Sequence, residues 1–76
     1  MFNRETFSAR LKELRLSKGI SMQKLANAVG LKNKGSIGQF ESMLNIPSAE
    51  TLVLLANYFD VSLDYLVGLS DDPRKR

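Results

Sequence analysis

The side chains able to do chemistry gather in one stretch, residues 21–41, SMQKLANAVGLKNKGSIGQFE. Its second half mixes short hydrogen-bonding groups with cations: Lys32, Asn33, Lys34, Ser36 and Gln39. Amides and hydroxyls of that length suit the base edges of a major groove, and lysines suit phosphates. On an ordinary helical bundle the same residues would form only a solvated face, and composition by itself leaves both readings open. Catalysis has far less to draw on. The chain has no histidine and no cysteine, and it lacks a strand–turn–helix nucleophile and a glycine-rich phosphate loop. Gly30, Gly35 and Gly38 follow no strand and are explained by turns. Asp71 and Asp72 sit in a polar segment, where a solvated acidic patch accounts for them better than a metal. No catalytic residue, metal or cofactor is expected.

Charge sharpens the picture. The net charge is +3 over 76 residues, which is mild, but the charges are segregated. Residues 14–40 carry five basic side chains (Arg15, Lys18, Lys24, Lys32, Lys34) and no acidic one. Residues 41–73 carry six acidic side chains (Glu41, Glu50, Asp60, Asp64, Asp71, Asp72) and no basic one. The first block suits a polyanionic partner. Chance segregation of surface charge is the plainer alternative.

The elements that must position these residues read as helices throughout. Phe7, Leu11 and Leu14 recur at helical spacing, with Asn3 as the cap and Gly19 as the stop. Ser21 caps a second helix that runs to Val29 and ends at Gly30. A third runs from about Lys34 to Ser42 with Ile37 and Phe40 inward; Gly35 and Gly38 weaken it by roughly 1 kcal/mol each relative to alanine. Residues 43–47 form a loop, because the residue before Pro47 is pushed out of the helical region. Ser48 caps a strongly apolar fourth helix and Ser62 a short fifth one, ended by Gly68. Met22, Met43 and the stripe of Leu52, Leu55, Ala56 and Phe59 are expected in or near the core. The chain divides into a domain over residues 1–69 and a polar, flexible tail over residues 70–76.

Size sets the energetics: so short a chain buries only about 60% of its unfolded surface, so its stability is modest. No segment has the length of apolar sequence that a membrane span requires, and the N-terminus lacks the layout of a secretory signal. A soluble, cytoplasmic protein without a membrane partner is the expectation.

The order and spacing of four segments carry a family resemblance: RLKELRLSKGIS (10–21), KLANAVGL (24–31), SIGQFE (36–41) and IPSAETLVLLANYFDVSLDYLVG (46–68). Together they resemble the lambda-repressor-like (Cro/repressor, XRE-type) helix-turn-helix family over about four-fifths of the chain. The resemblance implies an all-α, compact five-helix DNA-binding domain acting as a sequence-specific transcriptional regulator of the phage or prophage repressor type. Helix two would lie across the DNA backbone and helix three in the major groove. Asn33, Lys34, Ser36 and Gln39 become the implied base readers. Ser21, Met22, Gln23, Lys24, Lys32 and Asn45 become the implied phosphate contacts. Arg15 and Glu41 stand where the family places a partly buried structural ion pair.

The partner implied is double-stranded DNA with a near-palindromic operator, bound by a homodimer, and no small-molecule ligand is expected. Tyr58, Tyr65, Val67 and Leu69 are the candidate dimer patch. The chain departs from the family pattern in three places. Met22 stands where a glutamine is frequent, one extra residue separates Gly30 from Ile37, and residues 42–45 carry no cation. These departures keep a second function open, a protein-interaction module on the same fold, such as an antitoxin or anti-repressor.

Overall fold

The computed structural model describes residues 2–32 and 35–75, and within them the chain is entirely helical. Five helices follow in order: α1 (Arg4–Ser17), α2 (Met22–Ala28), α3 (Ser36–Glu41), α4 (Ala49–Phe59) and α5 (Leu63–Leu66). Four of them begin at the residues expected. Asn3 Oδ1 accepts from the Thr6 amide, and Ser21, Ser48 and Ser62 accept from the amides of Lys24, Thr51 and Tyr65. Each such bond satisfies one of the amides that a helix start leaves without an internal partner. The exception is α3. It starts at Ser36 rather than near Lys34, its preceding residue is Gly35, and no side chain caps it.

All five helices close with the same turn. A residue of positive φ follows the last turn, its N–H donates back three residues, and the next N–H donates back five. Glycine takes the positive-φ position after α1, α2 and α5, at Gly19, Gly30 and Gly68. Met43 and Asp60 take it after α3 and α4, with φ of 65° and 56°. Gly68 is needed for a second reason: a Cβ there would stand 2.9 Å from the Asn3 Cβ. That close approach lets the Asn3 amide reach the Val67 carbonyl at 3.0 Å, tying the start of α1 to the end of α5.

One core joins all the elements. Phe7 and Leu11 of α1, Leu25 and Ala26 of α2, Ile37 and Phe40 of α3, Leu55, Ala56 and Phe59 of α4, and Leu66 of α5 are buried together, with Val29 and Val61 from the turns. Helix α1 is the spine, packing against both α3 and α5, while α2 packs on α3 and α4 on α5. Of the methionine and α4 expectations, Leu55, Ala56 and Phe59 are buried and Leu52 is half-buried, whereas Met22 and Met43 are exposed.

The polar segment after α5 lies on the body. Residues 70–75 cross α5 and reach α4, where the Ser62 amide donates to the Pro73 carbonyl at 2.8 Å and Lys75 Nζ donates to Asn57 Oδ1 at 3.1 Å. From α1, Arg10 donates to the Tyr65 and Ser70 carbonyls and pairs with Asp71 at 2.9 Å. Its guanidinium sits 4.0 Å over the Tyr65 ring. A cation desolvated on one face by an aromatic ring and held by several acceptors makes a geometrically defined clasp.

Candidate nucleic-acid interface

Helix α3 has two unlike sides, and its neighbours dictate which is which. Ile37 and Phe40 face the core. Glu41, one residue on, is drawn inward by Arg15 of α1: Arg15 Nε donates to Glu41 Oε2 at 2.6 Å and Nη2 to Oε1 at 3.1 Å. Arg15 also donates through Nη1 to the Ile20 carbonyl at 3.0 Å. Both side chains are almost wholly covered, 10% and 5% exposed. The hydrogen bond to Glu41 holds the Arg15 pKa above its ordinary value, so the cation is present at any working pH. A second buried tie comes from Ser8 of α1, whose hydroxyl donates to the Phe40 carbonyl at 2.9 Å. Sequence reasoning misses Ser8, because a serine on the apolar stripe of α1 looks like an ordinary interruption.

With Ile37, Phe40 and Glu41 turned inward, helical spacing turns Gly38, Gln39 and Ser42 outward. Gln39 is half-buried, and its side chain is joined to Asn45: Asn45 Nδ2 donates to Gln39 Oε1 at 2.8 Å. Ser36 is half-buried at the start of the helix, and Lys32, four residues earlier, is exposed. Asn33 and Lys34, two of the four expected base readers, lie outside the described residues. The expected phosphate contacts at the start of α2, residues 21–24, are all exposed. That end of α2 adjoins the outer side of α3, because a Cβ on Gly38 would meet Met22 Sδ at 3.5 Å. The structure therefore brings Met22, Gly38, Gln39 and Asn45 onto neighbouring surface. Gly38 and Ser42 are not among the expected site residues; they lie four residues apart, off the stripe of Ile37, Phe40 and Glu41, and helical spacing applied to that stripe would find both.

Pairing alters the charge picture. Arg15 and Glu41 cancel each other inside the protein, which takes one cation from the basic block and one acid from the acidic block. Lys18, Lys24 and Lys32 remain exposed, with Lys18 Nζ 5.3 Å from the Tyr58 ring centroid. Of the four residues in the candidate dimer patch, Leu69 is exposed, Tyr58 and Tyr65 are half-buried and Val67 is buried. An open groove of about 410 Å³ lies between α4, α5 and residues 70–75, lined among others by Val53, Asn57, Leu63, Asp64, Arg74 and Lys75. None of these is an expected DNA contact. A protruding helix that enters a major groove needs no cavity of its own, since the duplex supplies the concavity.

Among the described residues no helix is long and apolar enough to cross a membrane, and no cluster of acidic side chains could hold a metal ion.

Known proteins share this geometry. A helix-turn-helix family model matches residues 11–66. A relative from Bacillus subtilis (strain 168), the uncharacterized HTH-type transcriptional regulator YobD, is 40% identical over 67 residues, covering 88% of this chain. The chain spans 59% of that relative's length. Among solved structures, the P22 c2 repressor protein in complex with synthetic operator 9T superposes with a TM-score of 0.78 at 26% identity, over 84% of this chain and 96% of that one. The restriction-modification controller protein C.AhdI from Aeromonas hydrophila superposes with a TM-score of 0.74 at 32% identity, over 83% and 94% of the two chains.

Proposed function

Since the chain belongs to the helix-turn-helix family, we propose that it is a sequence-specific, DNA-binding transcriptional regulator that reads the major groove with α3. The observation that carries this reading is the division of α3 into two sides. Its inner side is anchored by Ile37, Phe40 and the Arg15–Glu41 pair, which leaves Gln39 and the surface around it outward. Gln39 and Ser36 are the described base readers, and Asn33 and Lys34, just before them in the sequence, complete the set. Residues 21–24 and Lys32 flank them as phosphate contacts, which fix the register of the protein on the duplex without reading sequence. Arg15 and Glu41 serve structure only.

In this reading the protein acts as a homodimer on a near-palindromic operator, with half-sites about one helical turn, ~34 Å, apart. Of the four candidate patch residues, Leu69 is the exposed one, at 53%, and so the one free to contribute to such an interface.

The test is selection from a randomised duplex pool at several salt concentrations, followed by sequencing. A short near-palindromic consensus, lost on Gln39→Ala, is the expected result. No enrichment from the unaltered chain would overturn the reading and leave the protein-interaction function in its place. Sedimentation with and without the selected duplex checks the dimer; a monomer under both conditions would remove it.

A further inference from the structure

The loop after α3 holds one residue of that helix twice. Met43, at φ 65°, reverses the chain, so the Leu44 and Asn45 amides both donate to the Gln39 carbonyl, at 2.9 and 3.3 Å. The same reversal carries the Asn45 side chain over the Gln39 side chain, and Asn45 Nδ2 donates to Gln39 Oε1 at 2.8 Å. Asn45 is exposed and Gln39 half-buried, so this amide pair lies at the surface beside Gly38.

A glutamine amide is ambiguous until something fixes it. Rotated by half a turn, it exchanges its acceptor for its two donors, and in a major groove that exchange decides which base it fits. Adenine offers an acceptor and a donor, guanine two acceptors, cytosine a donor, and thymine an acceptor beside a methyl group. Paired with the Asn45 amide, the Gln39 amide is held against the loop by one of its ends, so only the other end is free to face a base.

We propose that Asn45 is a positioning residue for base recognition, holding the Gln39 amide in place and thereby narrowing the bases accepted opposite it. This rests on the DNA-reading function proposed above. It departs from the expectation that Asn45 is a phosphate contact, and the two roles have different signatures. Removing a phosphate contact weakens binding to all sequences about equally and shallows the salt dependence by about one unit of log–log slope. Removing a positioning residue relaxes the preference at one base pair per half-site and leaves the salt dependence as it was.

The experiment is the same randomised selection, run on the unaltered chain and on Asn45→Ala, Asn45→Asp and Gln39→Ala, with melts by circular dichroism to confirm that each variant is folded. Gln39→Ala identifies the base pair that Gln39 faces. At that pair Asn45→Ala is expected to reduce the base preference from about tenfold, the scale of one good side-chain–base contact, to about twofold, with other positions unchanged. Asn45→Asp has no donor to offer, so it can only accept from Nε2, which leaves Oε1 free and favours bases that donate. A uniform loss of affinity with a shallower salt slope would overturn the proposal in favour of a phosphate contact. An unchanged consensus at an unchanged salt slope would overturn it as well. A chain that selects no sequence at all fails earlier, at the DNA-reading function, before any variant is compared.

Discussion

Helix α4 has eleven residues, a serine cap, Glu50 in its first turn and no glycine. Helix α3 has six residues, no side-chain cap, no acid in its first turn and Gly38 at its middle. Both end on a non-glycine residue of positive φ, but only α3 is short of everything else that lets a helix persist. Short helices gain most of their stability from packing, and α3 depends on it wholly. Its ties all come from elsewhere: two buried apolar side chains, the Arg15–Glu41 pair and the Ser8 bond to its backbone. Helix α4 carries its own order, whereas α3 takes its order from α1. A surface that must meet a duplex cannot also be chosen for helix propensity, and local rules are commonly broken at such sites.

The largest expected effect comes from cutting that support. Arg15→Met leaves the Glu41 carboxylate covered and unpaired, which costs about 3–5 kcal/mol when a buried pair loses one member. Urea unfolding measures the total, and amide exchange shows where it falls. The comparison predicts that α3 amides lose protection first, under conditions where α4 amides still keep theirs. Uniform loss across both helices would show that α3 is not separately held. Pairing Arg15→Met with Glu41→Leu should recover most of the stability, since apolar replacements remove the stranded charge.

A cap deletion probes the other side. Ser48→Ala removes the bond to the Thr51 amide and should cost about 1 kcal/mol, read as a lower urea midpoint with an unchanged slope. Because α4 is locally well made, the loss should appear as fraying of its first turn, with the amides of α3 unaffected.

These helices also mark how far the sequence is legible. The caps at Asn3, Ser21, Ser48 and Ser62 and the stops at Gly19, Gly30 and Gly68 are each written in one residue, because only certain side chains perform those tasks cheaply. Met43 and Asp60 perform the same stop without the signature residue. Helix α3 starts about two residues later than its pattern suggests, because no side chain caps it and marks the place. The Arg15–Glu41 pair is legible through family resemblance; its spacing of 26 residues carries no local signal. The Gln39–Asn45 bond is not legible at all, because it exists only once Met43 turns the chain back. The segment 70–75, polar and unpatterned, gives no hint that Ser62 and Arg10 hold it, because those partners are brought to it only by the folded chain.

Met43→Gly is the first of two substitutions expected to stabilise. A non-glycine residue in the left-handed region costs about 1–2 kcal/mol, and glycine returns part of that gain through its greater freedom when unfolded. A net gain of about 0.5–1 kcal/mol is expected, seen as a higher melting temperature. No gain would mean that the Met43 side chain contributes packing that offsets the strain.

Gly38→Ala has the smallest effect on stability and puts the comparison to its sharpest use. Alanine raises helix propensity by up to about 1 kcal/mol, and the new methyl has room, since it would meet Met22 Sδ at an ordinary 3.5 Å. The variant should therefore melt at the same temperature or slightly higher. On the proposed function, however, the methyl stands on the outward side of α3 next to Gln39, where the helix backbone would approach the base edges. Binding to the selected duplex should then weaken while the fold improves. If Gly38→Ala improves both, α3 is merely poorly made, and its glycine reflects no demand from DNA. If stability rises as affinity falls, the missing propensity of α3 is the consequence of keeping a close approach open, and the contrast with α4 follows from what each helix must touch.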